Sequence, residues 1–494
     1  MNALARLDHA HVWHPFTQMR DWLRREPIVI VSGRGAVLRD ARGREYLDAN
    51  ASIWTNLHGH NHPRLNAALR RQLGKIAHSS ALGLANEPAS LLAAKLVALA
   101  NPRGLNRAPK LAKVFYSDDG STAVEVALKL AYEFTRRTRG PRPEPRFLSL
   151  EAAYHGDTLG AVALGHIDLF HKSFAGLLFK SDPVMSPYCY RCPFNRAKPE
   201  RADAREYRRC RWECVAQVER KFATAQKRRN PYAAFVFEPL IQGAAGMIPQ
   251  PPGWLRRVAE VARGHGALLI ADEVMTGFGR TGLPMRSAEC GMRSAECGMR
   301  STGRRGSGAN VLFACHQEGV QPDFLCLAKG LTGGYLPMAA TLTTRRVFDA
   351  FLGEYEEFKT FFHGHSYTAN QLGASAALAS LELLESRASQ AARARLERVL
   401  REELRLLWRL PNVGDVRQVG LIAGVELVRD WRTREPFDLR ERAGIRVCEA
   451  MARRGVLTRP IGNVVVLMPP YCTTPAQARR MITALAESVE EVFR

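Results

Sequence analysis

Short apolar runs recur along the chain, each closed by a polar or glycine-rich turn and followed by a helical pattern. VFYS at 114–117 leads into STAVEVALKLAYEF, FLSL at 147–150 into a turn containing YHGDT, and AAFVFEP at 233–239 into a Gln-Gly turn. ALLIADE at 267–273 ends at TGFGRTG, and FLCLAKG at 324–330 ends at LTGG. Continuous four- to seven-residue apolar runs alternating with helices predict a parallel sheet covered on both faces, an α/β fold. Polar residues fall at the C-terminal ends of these runs, where open α/β sheets bind ligands.

The last part of the chain has a different rhythm. SAALASLELLESRASQAARARLERVLREELRLLWRL, 375–410, predicts a long amphipathic helical stretch. VGDVRQVGLIAGVELV predicts a strand pair, ERAGIRVCEAMARRG a helix and VVVLMPPY a strand. A smaller α+β domain is expected from them, with the N-terminal residues, including a GAVLRDARGREYLDAN hairpin, packed beside it. The expected division is a large domain over 56–345, with a mostly parallel central sheet, and a small domain built from 1–55 and 346–494.

One segment breaks the pattern. MRSAECG at 285–291 is copied at 292–298, and a Gly/Ser/Arg tail follows. Two copies fall short of the repeats a coiled coil needs, and glycine at every seventh position predicts an exposed insertion over 283–310.

Composition adds three constraints. With 494 residues, 46% hydrophobic and 24% charged, the chain is globular rather than disordered, and long enough to bury a large core. No stretch approaches the ~18 apolar residues of a membrane span. The opening MNALARLDHAHVWHPF is interrupted by Arg6, Asp8, His9 and His11, unlike a secretory signal, so a cytoplasmic protein without membrane association is expected. The net charge of +23 comes mainly from arginine, for only 12 of the 71 basic residues are lysine. These arginines are spread along the chain, whereas nucleic-acid binders concentrate charge on one face, so no nucleic-acid partner is expected. A basic binding module is the competing reading from another functional class.

Against so few lysines, Lys329 at the end of an apolar run stands out, as does Asp272 at the end of another. Burying both is costly unless they are paired or used. They could form a buried salt bridge. They could also serve pyridoxal phosphate, where a lysine joins the aldehyde and a carboxylate keeps the pyridine nitrogen protonated. In SDDGSTAVEVALK, Gly120, Ser121 and Thr122 stand between strand and helix, and Thr122 and Glu125 have capping-box spacing. Such a helix start can receive a phosphate or be an ordinary cap. HGHSYTAN at 363–370 could add phosphate contacts through His365 and Ser366, and Tyr154 offers a ring for stacking.

Ten cysteines are present. Cys189-x-x-Cys192 and Cys210-x-x-x-Cys214 have a spacing at which four thiolates can bind zinc. Reduced cysteines packed in a surface excursion is the reading adopted, and no catalytic metal is expected.

ALLIADEVMTGFGRTG followed by PDFLCLAKGLTGGYLPMAAT resembles the signature of the class III, fold type I, pyridoxal-phosphate aminotransferases. The resemblance extends over nearly the whole chain through ASIWTNLHGHNHP, YSDDGSTAVEVALK, YHGDT, FEPLIQGAAGM and KTFFHGHSYTANQLG. Together with HVWHPFTQM and LTRPIGNVVVLMPPY, these blocks resemble the branch that aminates 8-amino-7-oxononanoate in biotin synthesis.

The resemblance implies a role for each matching residue. Lys329 would be the Schiff-base lysine and proton shuttle, and Asp272 would bind the pyridine nitrogen. Gly120 and Ser121 would hold the phosphate, with His365 and Ser366 of a second subunit completing it in a homodimer. Tyr154 would stack on the ring, with Asp157 supporting the site around it. Arg459 would pair with the substrate carboxylate, Trp54 would line the substrate pocket, and Gly364 would contact substrate through its backbone. Phe16 stands where one branch carries a tyrosine, and Ile53-Trp54 where that branch has two tryptophans. Both features resemble another branch, some of whose members take the amino group from lysine rather than S-adenosylmethionine. The other activity within the class is an ω-amino acid or diamine transaminase.

Overall fold

The computed structural model describes residues 2–102, 105, 109–141, 143–282 and 311–494. The tandem repeat, and with it the insertion expected over 283–310, lies outside the described residues.

The apolar runs form one seven-stranded sheet. Its strands are β1 (Leu111–Ser117), β2 (Arg146–Leu150), β3 (Asp182–Val184), β4 (Tyr232–Phe237), β5 (Leu268–Asp272), β6 (Phe324–Leu327) and β7 (Ala339–Thr344), in the spatial order β1-β7-β6-β5-β4-β2-β3. Neighbours from β6 to β3 run parallel, and β7 is antiparallel to both β6 and β1. Every residue of β4, β5 and β6 is buried, which is why their sequences are unbroken apolar runs rather than alternating ones. Each fully buried Phe, Leu or Ile there contributes roughly 1.5–3 kcal/mol. The helices α1 (Gly120–Arg139), α2 (Glu213–Lys227) and α3 (Trp254–Gly264) connect the strands. The mostly parallel α/β sheet is the expected fold class. Two strands went unforeseen: β3 has three residues, and the Ala/Thr sequence of β7 lacks a strong apolar run.

The long amphipathic stretch is two helices, α4 (Gln371–Glu385) and α5 (Arg387–Glu403), not one. Ser386 separates them in an extended conformation (ψ 139°), and its hydroxyl accepts the Ser389 amide at 3.2 Å as an N-cap. A serine amid helix formers is a weak signal in sequence, and it decides the break. Next, β8 (Val413–Val419) and β9 (Ile422–Asp430) form the expected antiparallel pair. They are joined by β11 (Val464–Leu467) alongside β9 and by β10 (Pro460–Ile461) on β11. Between β8 and β9, Gly420 has φ +59°, and a Cβ there would lie 2.1 Å from the carbonyl carbon of Thr281. The turn therefore needs glycine for both conformation and close approach.

The expected hairpin, Val37–Asp40 with Glu45–Asp48, pairs in parallel with Val456–Leu457 near the other end of the chain. Residues 49–57 are strapped down further: Met468 N donates to Ala49 O at 2.8 Å and Tyr471 N to Leu57 O at 2.7 Å. This fixes Trp54 beside the sheet. The helices α6 (Ala443–Arg453) and α7 (Pro475–Phe493) pack together.

Candidate active site

The polar residues gather at the C-terminal ends of the parallel strands. Asp272 closes β5. Lys329 follows β6 by two residues, and Tyr154 and His155 follow β2. Asp272 is buried, and its Oδ2 lies 2.7 Å from His155 Nδ1 while its Oδ1 accepts the Val274 amide at 3.0 Å. Burial pushes the His155 imidazole down, but the bond to Asp272 and the charges of Asp272 and Glu238 outweigh it and raise its pKa. His155 Nε2 is buried with no partner among the described residues.

Lys329 makes no hydrogen bond or ion pair among the described residues, and its Nζ lies 5.3 Å from the centre of the Trp54 ring. Burial lowers its pKa, and the charges of Asp272 and Glu238 oppose this without reversing it. A lysine shifted in this direction holds more of the neutral, nucleophilic amine. The salt-bridge alternative for Lys329 and Asp272 is corrected here: Asp272 gives its carboxylate to His155 and a backbone amide, and Lys329 stays unbonded.

Sequence reasoning missed Glu238. It is buried one residue after β4, where Gly243 N donates to its Oε2 at 2.7 Å and Tyr154 N to its Oε1 at 3.4 Å. Burial, aided by Asp272, pushes its carboxyl up to about 7. Like Asp272, it ends an apolar run, and that signal could have found it. His155 also went unassigned, although it adjoins Tyr154.

The helix start of α1 is a cap that leaves two backbone amides unused. The cap differs from the expected Thr122–Glu125 box. Asp119 is the N-cap, its Oδ1 accepting the Thr122 amide at 2.9 Å, and Thr122 Oγ1 accepts the Asp119 amide at 3.0 Å. Glu125 instead accepts the Gly160 amide at 2.7 Å and the Ala161 amide at 3.2 Å. With Thr122 and Ala123 bonded to Asp119, the amides of Gly120 and Ser121 have no acceptor among the described residues. Ser121 Oγ accepts the Asp157 amide at 3.0 Å. A Cβ on Gly120 would lie 2.6 Å from Val274 Cγ1, and one on Gly156 (φ +123°) would lie 1.9 Å from Ser121 Oγ. The cradle is therefore closed to any side chain at these two positions.

Tyr154 donates from its hydroxyl to Asp157 Oδ2 at 2.7 Å, and its ring meets Phe16 edge-on at 6.4 Å. Phe16 is 55% exposed and also packs on Phe170 at 5.3 Å. Trp54 is buried with φ +71°, its Nε1 donating to Asn50 Oδ1 at 2.9 Å. Ala51 and Ser52 also have positive φ, strain of the kind that collects at functional sites. Trp54 belongs to an apolar cluster with Ile241, Met247, Met275, Ile422 and Met468. Arg459 precedes β10. Burial lowers its pKa, Tyr154 is among the groups that face it, and it has no ion pair among the described residues.

The structure thus joins Lys329, Asp272, Tyr154, Asp157, Ser121, Gly120, Trp54, Phe16 and Arg459 through shared neighbours. Gly364, His365 and Ser366 lie on a separate loop. His365 Nδ1 is 3.0 Å from Asp118 Oδ2, just before the cradle, and Ser366 O accepts from His78 Nε2 at 2.9 Å. Gly364 is exposed, with nothing within 4 Å of where its Cβ would stand. The residues implied for pyridoxal phosphate fit that group. A free amine, a carboxylate oriented by a buried imidazole, an aromatic ring and a helix start opened by a glycine, with two unused amides, are all present. Among the described residues no group of three or more His, Cys, Asp or Glu could hold a metal ion, and Cys189, Cys192, Cys210 and Cys214 are free thiols. No helix among the described residues is long and apolar enough to cross a membrane.

The family model for class III aminotransferases matches residues 19–288 and 296–489, the break falling inside the tandem repeat. The chain belongs to the class III aminotransferases, and it is an aminotransferase of the α/β fold expected. Among curated relatives, the adenosylmethionine-8-amino-7-oxononanoate aminotransferase of Geobacter sulfurreducens is 46% identical over 98% of this chain and 97% of its own length. The crystal structure of the enzyme of that name from Methanocaldococcus jannaschii superposes with a TM-score of 0.83 at 38% identity, covering 99% of this chain and 98% of that one. An amine transaminase from an uncultivated Pseudomonas species, in a PLP-bound form, gives 0.81 at 33% identity over 97% and 98%.

Proposed function

We propose that the protein uses pyridoxal 5′-phosphate to transfer an amino group from S-adenosylmethionine, or lysine, to 8-amino-7-oxononanoate, giving 7,8-diaminononanoate in biotin synthesis. The observation that carries the substrate assignment is Arg459. A guanidinium with no ion pair among the described residues lies within electrostatic reach of Tyr154, and an apolar wall around Trp54 lies near Lys329. A guanidinium without a carboxylate of its own suits a bidentate pair with an acid, and the wall suits an alkyl chain. The relatives' shared name supports the same substrate.

In this reading Lys329, Asp272, Tyr154 and the amides of Gly120 and Ser121 hold the cofactor. When bound, it supplies an aldehyde that amines can join and a ring that draws electrons from the adjoining carbon. Lys329 Nζ, kept low in pKa by burial, would take the proton from the amine-bearing carbon of the donor and pass it to the carbon contributed by the aldehyde. Asp272, held in place by its bond to His155, would bind the pyridine nitrogen. Asp157 fixes the Tyr154 hydroxyl, and Arg459 positions the acid end of the acceptor. Amino donor and acceptor take turns in the site, so ping-pong kinetics follow. Phe16 offers no hydroxyl to the donor amine.

The same reading divides the chain at 56–345 and makes the protein a homodimer in which the partner's loop brings Gly364, His365 and Ser366 to the site. Leu82, Leu84 and Tyr367 are 92, 63 and 62% exposed, and the His78 ring joins the two segments by lying tilted against Tyr367 at 4.9 Å. Apolar exposure of this kind is typical of a surface that is covered. The eight described cysteines are free, consistent with a reducing cytoplasm.

Turnover of 8-amino-7-oxononanoate with S-adenosylmethionine and with lysine, measured side by side, tests the assignment. One donor should support synthesis of the diamine. Transamination of pyruvate without any turnover of the keto acid would instead select the ω-amino acid or diamine transaminase, the reading that the Pseudomonas likeness favours.

A further inference from the structure

The helix α2 carries cations that nothing in the described chain neutralises. At 100° per residue, Arg220, Lys221 and Arg228, which caps the helix, fall within about a 100° arc of one face. Among the described residues none of the three side chains makes a hydrogen bond or ion pair. Several surface arginines elsewhere are matched, as Arg453 is by Glu491, Arg454 by Glu487 and Arg479 by Glu403, whereas these three share one cavity with no carboxylate of their own. Like charges on one helix face repel, so this stripe works against the helix that bears it.

The three cations open onto a cavity of about 380 Å³ whose other wall holds Arg146, Asp182 and Tyr232. These are the first residues of β2, β3 and β4, at the N-terminal edge of the parallel sheet. Arg146 is fixed in place. It bonds the Asp182 carboxylate, donates from Nη1 to Asn230 O at 3.4 Å, and lies 4.9 Å over the Tyr232 ring. Asp182 is thereby taken up by Arg146 and leaves the helix cations unmatched.

We propose that this cavity is a binding site for a small multivalent phosphoanion, a short chain of linked phosphates. The charge excess calls for an anion, and guanidinium forks match phosphate oxygens. The volume is within the range of small-ligand sites. Arg220 and Arg228 stand eight residues apart, ~12 Å along the helix, which exceeds a single tetrahedral anion and suits two or three linked ones. The cavity sits at the opposite edge of the sheet from Asp272 and Lys329, so a ligand there touches no reacting group. It is a second site, independent of the cofactor's phosphate cradle.

Titration calorimetry of the cofactor-loaded enzyme with inorganic triphosphate at physiological salt tests the site while the cradle at Gly120 is filled. Expected is one saturable site per chain, weakened at least about tenfold by Arg220→Ala or Arg228→Ala and abolished by the double change Arg220→Glu, Arg228→Glu. Arg71→Ala, at an exposed arginine elsewhere, should leave binding unchanged, and transamination should proceed at the normal rate in all these variants. ATP binding as tightly as triphosphate assigns recognition to the phosphates alone, and tighter ATP binding adds a base contact to the same site. Heat that never saturates, or binding that survives the double reversal, overturns the proposal. So does a single-stranded DNA oligomer that displaces triphosphate at equal phosphate concentration, for the surface would then belong to nucleic acid.

Discussion

Two buried charge clusters in this molecule are built from similar groups and finished differently. In the small sheet, Arg417 on β8 spends its whole guanidinium: Nε donates to Met247 O at 2.8 Å, Nη1 to Asp415 Oδ2 at 3.0 Å and to Glu426 Oε2 at 2.7 Å, and Nη2 to Gly246 O. Glu426 also accepts from Arg191 Nε at 2.7 Å and from the Tyr188 hydroxyl, so two segments distant in sequence are clamped onto this sheet. Only Asp415 Oδ1 lacks a partner among the described residues. At the end of the large sheet, by contrast, Lys329 is unbonded, His155 Nε2 has no partner and Arg459 has no ion pair among the described residues. Unmatched polar groups cost stability wherever they are buried. Of these two clusters, the one at the candidate site keeps its cations unmatched for a ligand to complete, and the one in the small sheet spends its cation on protein groups.

That contrast predicts opposite mutational behaviour. Lys329→Ala should lower transamination by at least ~10⁴-fold in steady-state rate. Its melting temperature should hold or rise, because an unmatched buried amine is removed. Arg417→Met should do the reverse. It strands Asp415 and Glu426 without their cation, costing about 3–5 kcal/mol in denaturant unfolding, while the folded fraction keeps its turnover. Equal effects of both changes on rate and stability would erase the distinction.

A smaller effect concerns pH. Burial holds the Glu238 carboxyl at about 7 in the folded protein, against about 4.5 in an unfolded chain. The folded state therefore binds the extra proton. The stability tied to this group is full below the unfolded value and is lost as pH rises through 7. Glu238→Gln, neutral throughout, should remove up to about 3 kcal/mol of that decline, read as a flatter unfolding free energy between pH 5 and 8. The smallest effect is on binding. Arg459→Ala should raise KM for the keto acid about 10–100-fold with little change in kcat, and Arg459→Lys should restore part of it. A fall in kcat at unchanged KM would place Arg459 outside substrate binding.

Much of the large sheet was legible because its central strands are buried on both faces and so read as unbroken apolar runs. Lys329 and Asp272 stood out for the same reason, as charges at the ends of such runs in a chain poor in lysine. Glu238 carries an equal signal and was passed over because the FEP turn resembles an ordinary strand end. β7 was hidden by its Ala/Thr sequence, and the helix break at Ser386 by a single hydroxyl. The Arg417 cluster was not legible, for it joins residues 188, 191, 246, 415 and 426, and no local pattern reports a pairing over such separations.

The chemistry depends on one amine, Lys329, just after β6. Borohydride reduction of the purified protein, followed by digestion and mass spectrometry, tests it directly. The predicted result is the mass of the cofactor attached to Lys329 and to no other lysine. A cofactor attached elsewhere, or none attached at all in protein that transaminates, contradicts it.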